Sequence, residues 1–154
     1  MTAKSLFLPL LTIICIFSCQ QTQTHSDSLE ECTVKIKKIM QNQVDSWNSG
    51  SIDGFMQGYW RSDELRFVTK NGVRLGYDSV ANNYKRHYHN QEKMGKLSFK
   101  NMAFFSLPPD KKNEVINVTG QWFVAQTEKT DSGFFTIFFT KIDSEWKIVI
   151  DNTW

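Results

Sequence analysis

The residues of this chain best suited to chemistry are one carboxylate, a few phenols and a few indoles. Asp151 and Thr153 stand in the closing run Trp146-Lys147-Ile148-Val149-Ile150-Asp151-Asn152-Thr153. A carboxyl group among apolar neighbours can serve as a polar anchor or as a general base. Tyr59 and Trp60 end a short helical stretch, Tyr84 and Tyr88 lie four residues apart, and Trp122 sits in a run of alternating residues. Phenols can donate to a ligand oxygen, while large rings supply the walls of a pocket. These seven residues form the candidate site, with Asp151 as the catalytic one. The competing expectation makes Trp60, Tyr84 and Trp122 core residues with satisfied polar tips, and pairs Asp151 with an arginine. Arg66 and Arg74 are the arginines to consider, since one that faces inward can hold a carboxylate in bidentate fashion. Period two sets Arg66 on the face opposite Leu65 and Phe67, where solvent is expected.

Several other chemistries lack the residues they need. His87 and His89 point to different sides of a helix, unlike the i, i+4 pair that suits zinc, and no cysteine or carboxylate set completes a site. No metal and no cofactor is expected. A net charge of +2, with charged residues at 22%, gives no field for a polyanion. Nucleic acid is excluded as a partner on that ground. There is no Gly-rich phosphate loop, no serine nucleophile elbow and no repeat. Asn117-Val118-Thr119 matches a glycosylation sequon but falls inside a strand.

The elements that must position the candidates follow from periodicity. Ser28 and Glu31 have the spacing of a capping box. Leu29, Cys32, Ile36, Ile39, Met40, Gln43, Val44 and Trp47 then form one helical stripe that stops at Asn48-Ser49-Gly50. A short helix restarts at Ser51. Leu65 to Lys70 and Val73 to Leu75 read as a hairpin around Asn71-Gly72, followed by a helix from Gly76 to about His89. Three long strands come next: Lys96 to Leu107, with a bulge near Asn101-Met102, Val115 to Lys129, and the hairpin of Phe134 to Ile142 with Trp146 to Thr153. That last hairpin is apolar on both faces. Helices can cover one face, and a second copy of the chain is the expected cover for the other. The fold class is α+β, with N-terminal helices packed on a curved antiparallel sheet.

The N-terminus reads as an address. Lys4 precedes a nearly uninterrupted apolar run from Ser5 to Phe17, long enough for a signal sequence and too short to span a bilayer. Ile16-Phe17-Ser18-Cys19 resembles the lipobox of bacterial lipoproteins. The resemblance implies a signal peptide over residues 1–18, lipidation at Cys19, and a membrane-anchored protein of the bacterial cell envelope that faces the periplasm or the exterior. Residues 19–27 are polar and form a tether. Residues 28–154 form the domain, in which Cys32 is the only remaining cysteine and is expected to pack on a helix face.

The order of elements over residues 28–154 resembles the NTF2-like domains. Trp47-Asn48, Ser51-Ile52-Asp53-Gly54-Phe55-Met56, Leu65-Arg66-Phe67-Val68 and Trp146-Lys147-Ile148-Val149 look like the SnoaL-like (DUF4440) branch. The resemblance implies a cone-shaped fold with a cavity between the helices and the concave sheet face. The family includes isomerases, cyclases, hydrolases and oligomerisation domains. Two departures stand out. Asn152 takes a place where relatives often carry histidine, and no carboxylate lies around Phe67-Val68-Thr69, where the ketosteroid isomerases of this fold carry their base. The first functional expectation is a membrane-tethered module that binds a small apolar or amphipathic molecule without catalysis. The alternatives are acid-base catalysis by Asp151 with Tyr59 or Tyr84, and a non-catalytic dimerisation domain.

Overall fold

In the computed structural model, helix α1 (Leu29–Asn48) starts where Ser28 and Glu31 satisfy each other's backbone donors. Ser28 N–H donates to Glu31 Oε2 at 2.8 Å, and Glu31 N–H donates to Ser28 Oγ at 3.2 Å. Its buried stripe is Cys32, Ile36, Met40, Gln43 and Trp47, as the spacing predicts. Residues 27–107 and 113–154 are described. The expected signal peptide, Cys19 and the tether up to residue 26 lie outside the described residues. Asp27 fastens the start of the domain, because its carboxylate takes Lys35 at 2.8 Å and Lys141 at 2.9 Å, and its carbonyl accepts from Asn113 at 2.8 Å. These hydrogen bonds, from Lys35 first and Lys141 second, hold its carboxyl down to about 2.

Helix α2 (Ile52–Met56) is capped by the Ser51 hydroxyl, which accepts from Gly54 N–H at 3.0 Å. Six strands follow in one sheet: β1 (Arg66–Thr69), β2 (Gly72–Leu75), β3 (Lys96–Leu107), β4 (Val115–Ala125), β5 (Thr130–Ile142) and β6 (Glu145–Thr153). Helix α3 (Tyr77–His87) and the single turn α4 (Gln91–Met94) lie between β2 and β3. The strand order is β2-β1-β6-β5-β4-β3. The expectation of an all-antiparallel sheet is corrected here, because β1 runs parallel to β6 and the sheet is mixed. The cause lies just upstream. Trp60 N–H donates to Ile148 O and Ile148 N–H to Gly58 O, both at 2.9 Å, so the chain already runs alongside β6 in its direction before β1 begins.

The bulge expected in β3 is present. The register to β4 shifts between Lys100 and Ala103, and Asn101 takes a φ of 53°. β5 begins earlier than the alternation suggested, since Thr130 to Gly133 pair with Trp122 to Ala125. The one-turn α4 has too few residues to show a period, but Asn90 caps it, accepting from Lys93 N–H at 2.9 Å.

The concave sheet face carries Ile116, Val118, Phe135, Ile137, Phe139 and Ile148, all buried beneath the helices. The opposite face is open in this chain. Val73, Leu75, Phe105 and Phe134 on it are 62, 58, 50 and 51% exposed. The packing of Phe135 depends on a missing side chain at Gly120, where an added Cβ would meet the Phe135 ring at 2.6 Å. Phe135 can lie across β4 only because nothing stands there. Gly120→Ala is therefore expected to destabilise the domain by about 1–3 kcal/mol through overpacking. Urea unfolding is the measurement, and a Gly120→Ala/Phe135→Leu double variant should recover part of the loss.

Candidate functional site

Beneath the helices the concave face leaves a pocket of about 270 Å³. Its roof is an edge-to-face cluster. Trp47 meets Tyr88 at 4.7 Å and Phe55 at 5.2 Å, Phe55 meets Tyr84 at 5.2 Å, and Tyr84 meets Phe67 at 5.6 Å. Trp47 is anchored by its indole N–H, which donates to Met94 O at 2.9 Å. A wider vestibule of about 570 Å³ adjoins the pocket and shares Phe67, Tyr88, Trp122 and Thr153 with it.

Among the described residues Asp151 is the only carboxylate in the inner pocket's wall. Its neighbours across the sheet are Phe67 on one side and Ile137 on the other, so it stands in an apolar row and is 4% exposed. Tyr59 O–H donates to Oδ2 at 2.6 Å, whereas Oδ1 is buried with no hydrogen-bond partner among the described residues. Burial disfavours the charged form and raises the carboxyl to about 6, even though the Tyr59 bond pulls the other way. Tyr84 stands beside Tyr59 in the same wall. Burial first, and the charge of Asp151 second, push both phenols well above their usual range, so they stay protonated.

The structure gathers six of the seven candidates. Tyr59, Tyr84, Tyr88, Trp122, Asp151 and Thr153 all line the pocket. Trp60 does not. It follows Tyr59 in extended backbone tied to Ile148, where successive side chains turn to opposite sides. Trp122 does not have the satisfied tip expected of it as a core residue, because its Nε1 is buried without a hydrogen-bond partner among the described residues. Nor is Asp151 paired with an arginine. Asn152 pairs with Val68 and Thr136 on the outer face, so a side chain at this position turns away from the pocket. The carboxylate of β6 stands directly beside Phe67 of β1.

Asn83 and His87 were not among the seven candidates, His87 having been weighed only as a metal ligand, yet both line the pocket. They extend the stripe of Tyr84 and Tyr88 by one position on α3, at spacing four from each other, and that spacing was the available signal. His87 Nδ1 lies 2.8 Å from Asn83 O. Among the described residues no three His, Cys, Asp or Glu side chains gather as a metal site.

The raised carboxyl has a consequence for stability. In the unfolded chain Asp151 ionises near 3.8, but the native state resists ionisation until about 6. The native state therefore incurs no penalty below pH 4 and a growing one from pH 4 to 6. Above that the penalty is constant, at about 3 kcal/mol. Asp151→Asn should remove this slope. Urea unfolding from pH 4 to 7 is expected to show the wild type losing up to about 3 kcal/mol relative to the variant, and parallel curves would refute the burial of an ionisable acid. The Asp27 carboxyl, depressed to about 2, contributes its own change in a separate window below pH 4.

No protein-family model matches the sequence, and no curated protein matches it. Solved structures do. An NTF2-like protein of unknown function from Shewanella oneidensis MR-1 is 31% identical, with 79% of this chain and 98% of that chain covered and a TM-score of 0.74. An NTF2-like superfamily protein from Salmonella enterica serovar Typhimurium LT2 shares 19% identity over 80% of this chain and 91% of that chain, with a TM-score of 0.58. LinA shares 12% over 80% and 84%, with a TM-score of 0.64. The last two show the fold alone. With helices roofing a curved mixed sheet, and with nearly the whole length of the Shewanella protein matched at that identity, this chain belongs to the NTF2-like family.

Proposed function

We propose that the pocket carries out proton transfer on a small, largely apolar organic molecule, with Asp151 as the base. The observation that supports this is Oδ1 of Asp151, a buried ionisable oxygen without a partner on the wall of an aromatic pocket. A module that merely holds an apolar molecule gains nothing from such a group, whose ionisation costs stability. A base is useful when its pKa lies near the working pH, and about 6 meets that condition. This favours catalysis over passive binding. Asp151 Oδ1 takes a proton from a carbon beside a carbonyl, and the C–H electron pair moves into the carbonyl to give an enolate. The oxygen of that enolate accepts from a donor in the wall, for which the free Nε1–H of Trp122 is available. Once the proton on Asp151 has been replaced from solvent, delivery to the same carbon gives exchange, and delivery of the proton to a conjugated carbon gives an isomer. No co-reactant is consumed.

The test is deuterium wash-in. Aryl and cyclic ketones are incubated with the protein in D2O, and loss of the C–H signal is followed by NMR. The wild type should accelerate exchange for at least one ketone, with a rate that rises through pH 6 and then levels as Asp151 ionises. Asp151→Asn should fall to the buffer rate. Full exchange by that variant, or a flat pH profile, removes Asp151 as the base. Ligand binding that survives the change, with no exchange by either protein, would leave passive binding in its place.

We also propose that a second copy covers the open sheet face, on the strength of the exposed Val73, Leu75, Phe105 and Phe134. Light scattering after size exclusion should give the mass of a dimer for the wild type and of a monomer for Phe134→Glu. A monomeric wild type at tens of micromolar would refute it.

A further inference from the structure

One row of the sheet carries an acid and a base of opposite charge that do not meet. Arg74 in β2 is the register partner of Phe67 in β1, and Phe67 is the register partner of Asp151 in β6. Phe67 and Asp151 line the inner pocket, while Phe67 and Arg74 line the vestibule. With adjacent strands about 4.8 Å apart, the two charged residues have their Cα atoms about 10 Å from each other. An arginine with a long stem would ordinarily close that gap to a carboxylate. Here Phe67 stands between them, 7% exposed, with its ring held edge-on to Tyr84. The carboxyl of Asp151 moves up rather than down, as it would not beside a guanidinium.

Arg74 is thus a cation without a counter-ion, since it forms no ion pair and no hydrogen bond among the described residues. It is half-buried, on the inward side of an edge strand. Lys70 and His87 face the same vestibule. Among the described residues the one acidic side chain of that wall, Asp131, is held by Lys129 at 2.8 Å. The remaining polar groups, Thr69, Asn71, Asn83, Ser132 and Thr153, are neutral. The pocket's outer chamber is therefore cationic and its inner chamber apolar, with an acid at the far end.

From this arrangement we infer that the ligand is an amphipathic carboxylate, whose anionic group is clamped by Arg74 in the vestibule and whose apolar body passes Phe67 to reach Asp151. The inference rests on the pocket being the binding site and names the class of molecule it takes. A planar guanidinium matches a carboxylate with two parallel hydrogen bonds, which fixes the orientation of the body as well as its charge. The two ends of such a ligand then meet complementary surroundings. The anion lies in the more solvated chamber, and the part to be deprotonated lies where water is scarce.

A matched pair of probes separates this from the pocket reading. 1-Naphthoate and 1-naphthamide share one bicyclic body and differ in charge, and their binding to the wild type, Arg74→Ala and Arg74→Lys is measured by calorimetry at pH 7.5. The wild type should prefer the acid over the amide by about tenfold. In Arg74→Ala the preference should vanish while affinity for the amide stays unchanged, and Arg74→Lys should keep part of the preference, with a steeper loss in salt. Unchanged amide binding also reports that the Ala variant is folded. Equal binding of acid and amide by the wild type, or a preference that survives Arg74→Ala, would overturn the anion site and leave the pocket reading intact. Binding of neither probe would overturn both.

Discussion

One hydrogen bond between residues far apart in sequence organises the interior: the 2.6 Å contact from the Tyr59 hydroxyl to Oδ2 of Asp151. It joins the end of the helical layer to the last strand. Everything that fixes Tyr59 therefore fixes the acid. Ser51 starts α2, and the pairing of Gly58 and Trp60 with Ile148 sets the height of the phenol above β6. The bond satisfies one carboxylate oxygen and leaves the other bare. Had a second donor been present, the acid would be a structural anchor with a depressed pKa. With one donor and apolar neighbours it stays titratable close to neutrality.

The aromatic roof makes such an environment possible. Trp47, Phe55, Phe67, Tyr84 and Tyr88 are rigid and large, and they contact one another edge-to-face instead of collapsing into the hollow. Below them, Gly120 lets Phe135 lie flat across the sheet. A filled core and an open one can share this composition. What separates them is the direction in which rings brace one another, and the pairing of Trp47 with Met94 O directs the largest of them.

Much of this was legible in the residues. The capping box at Ser28 and Glu31, the stripe ending at Trp47, the Asn71-Gly72 hairpin and the bulge after Lys100 are local, and each carries its signal within a few positions. Six of the seven proposed site residues also come together, because period two and period 3.6 assign them to faces that the fold then apposes. The failures share a different character. The parallel pairing of β1 with β6 brings together segments some eighty residues apart, and no local pattern records its direction. Trp60 was misplaced because its segment leaves helical periodicity after Met56 and adopts extended pairing, which turns it away from Tyr59. The competing expectation, an arginine paired with Asp151, is not met because the ring of Phe67 intervenes, and that is a fact of register across three strands.

The grip on Asp27 by Lys35 and Lys141 has a geometrical consequence. Lys141 lies at one end of β5, whereas Asp131 and Ser132, at the vestibule, lie at the other. Ten residues of strand separate them, a distance of about 33 Å. The domain is thus a cup held by its foot. The ties that fix Asp27 thus sit at the end of β5 remote from the vestibule, and the vestibule's rim is free of them.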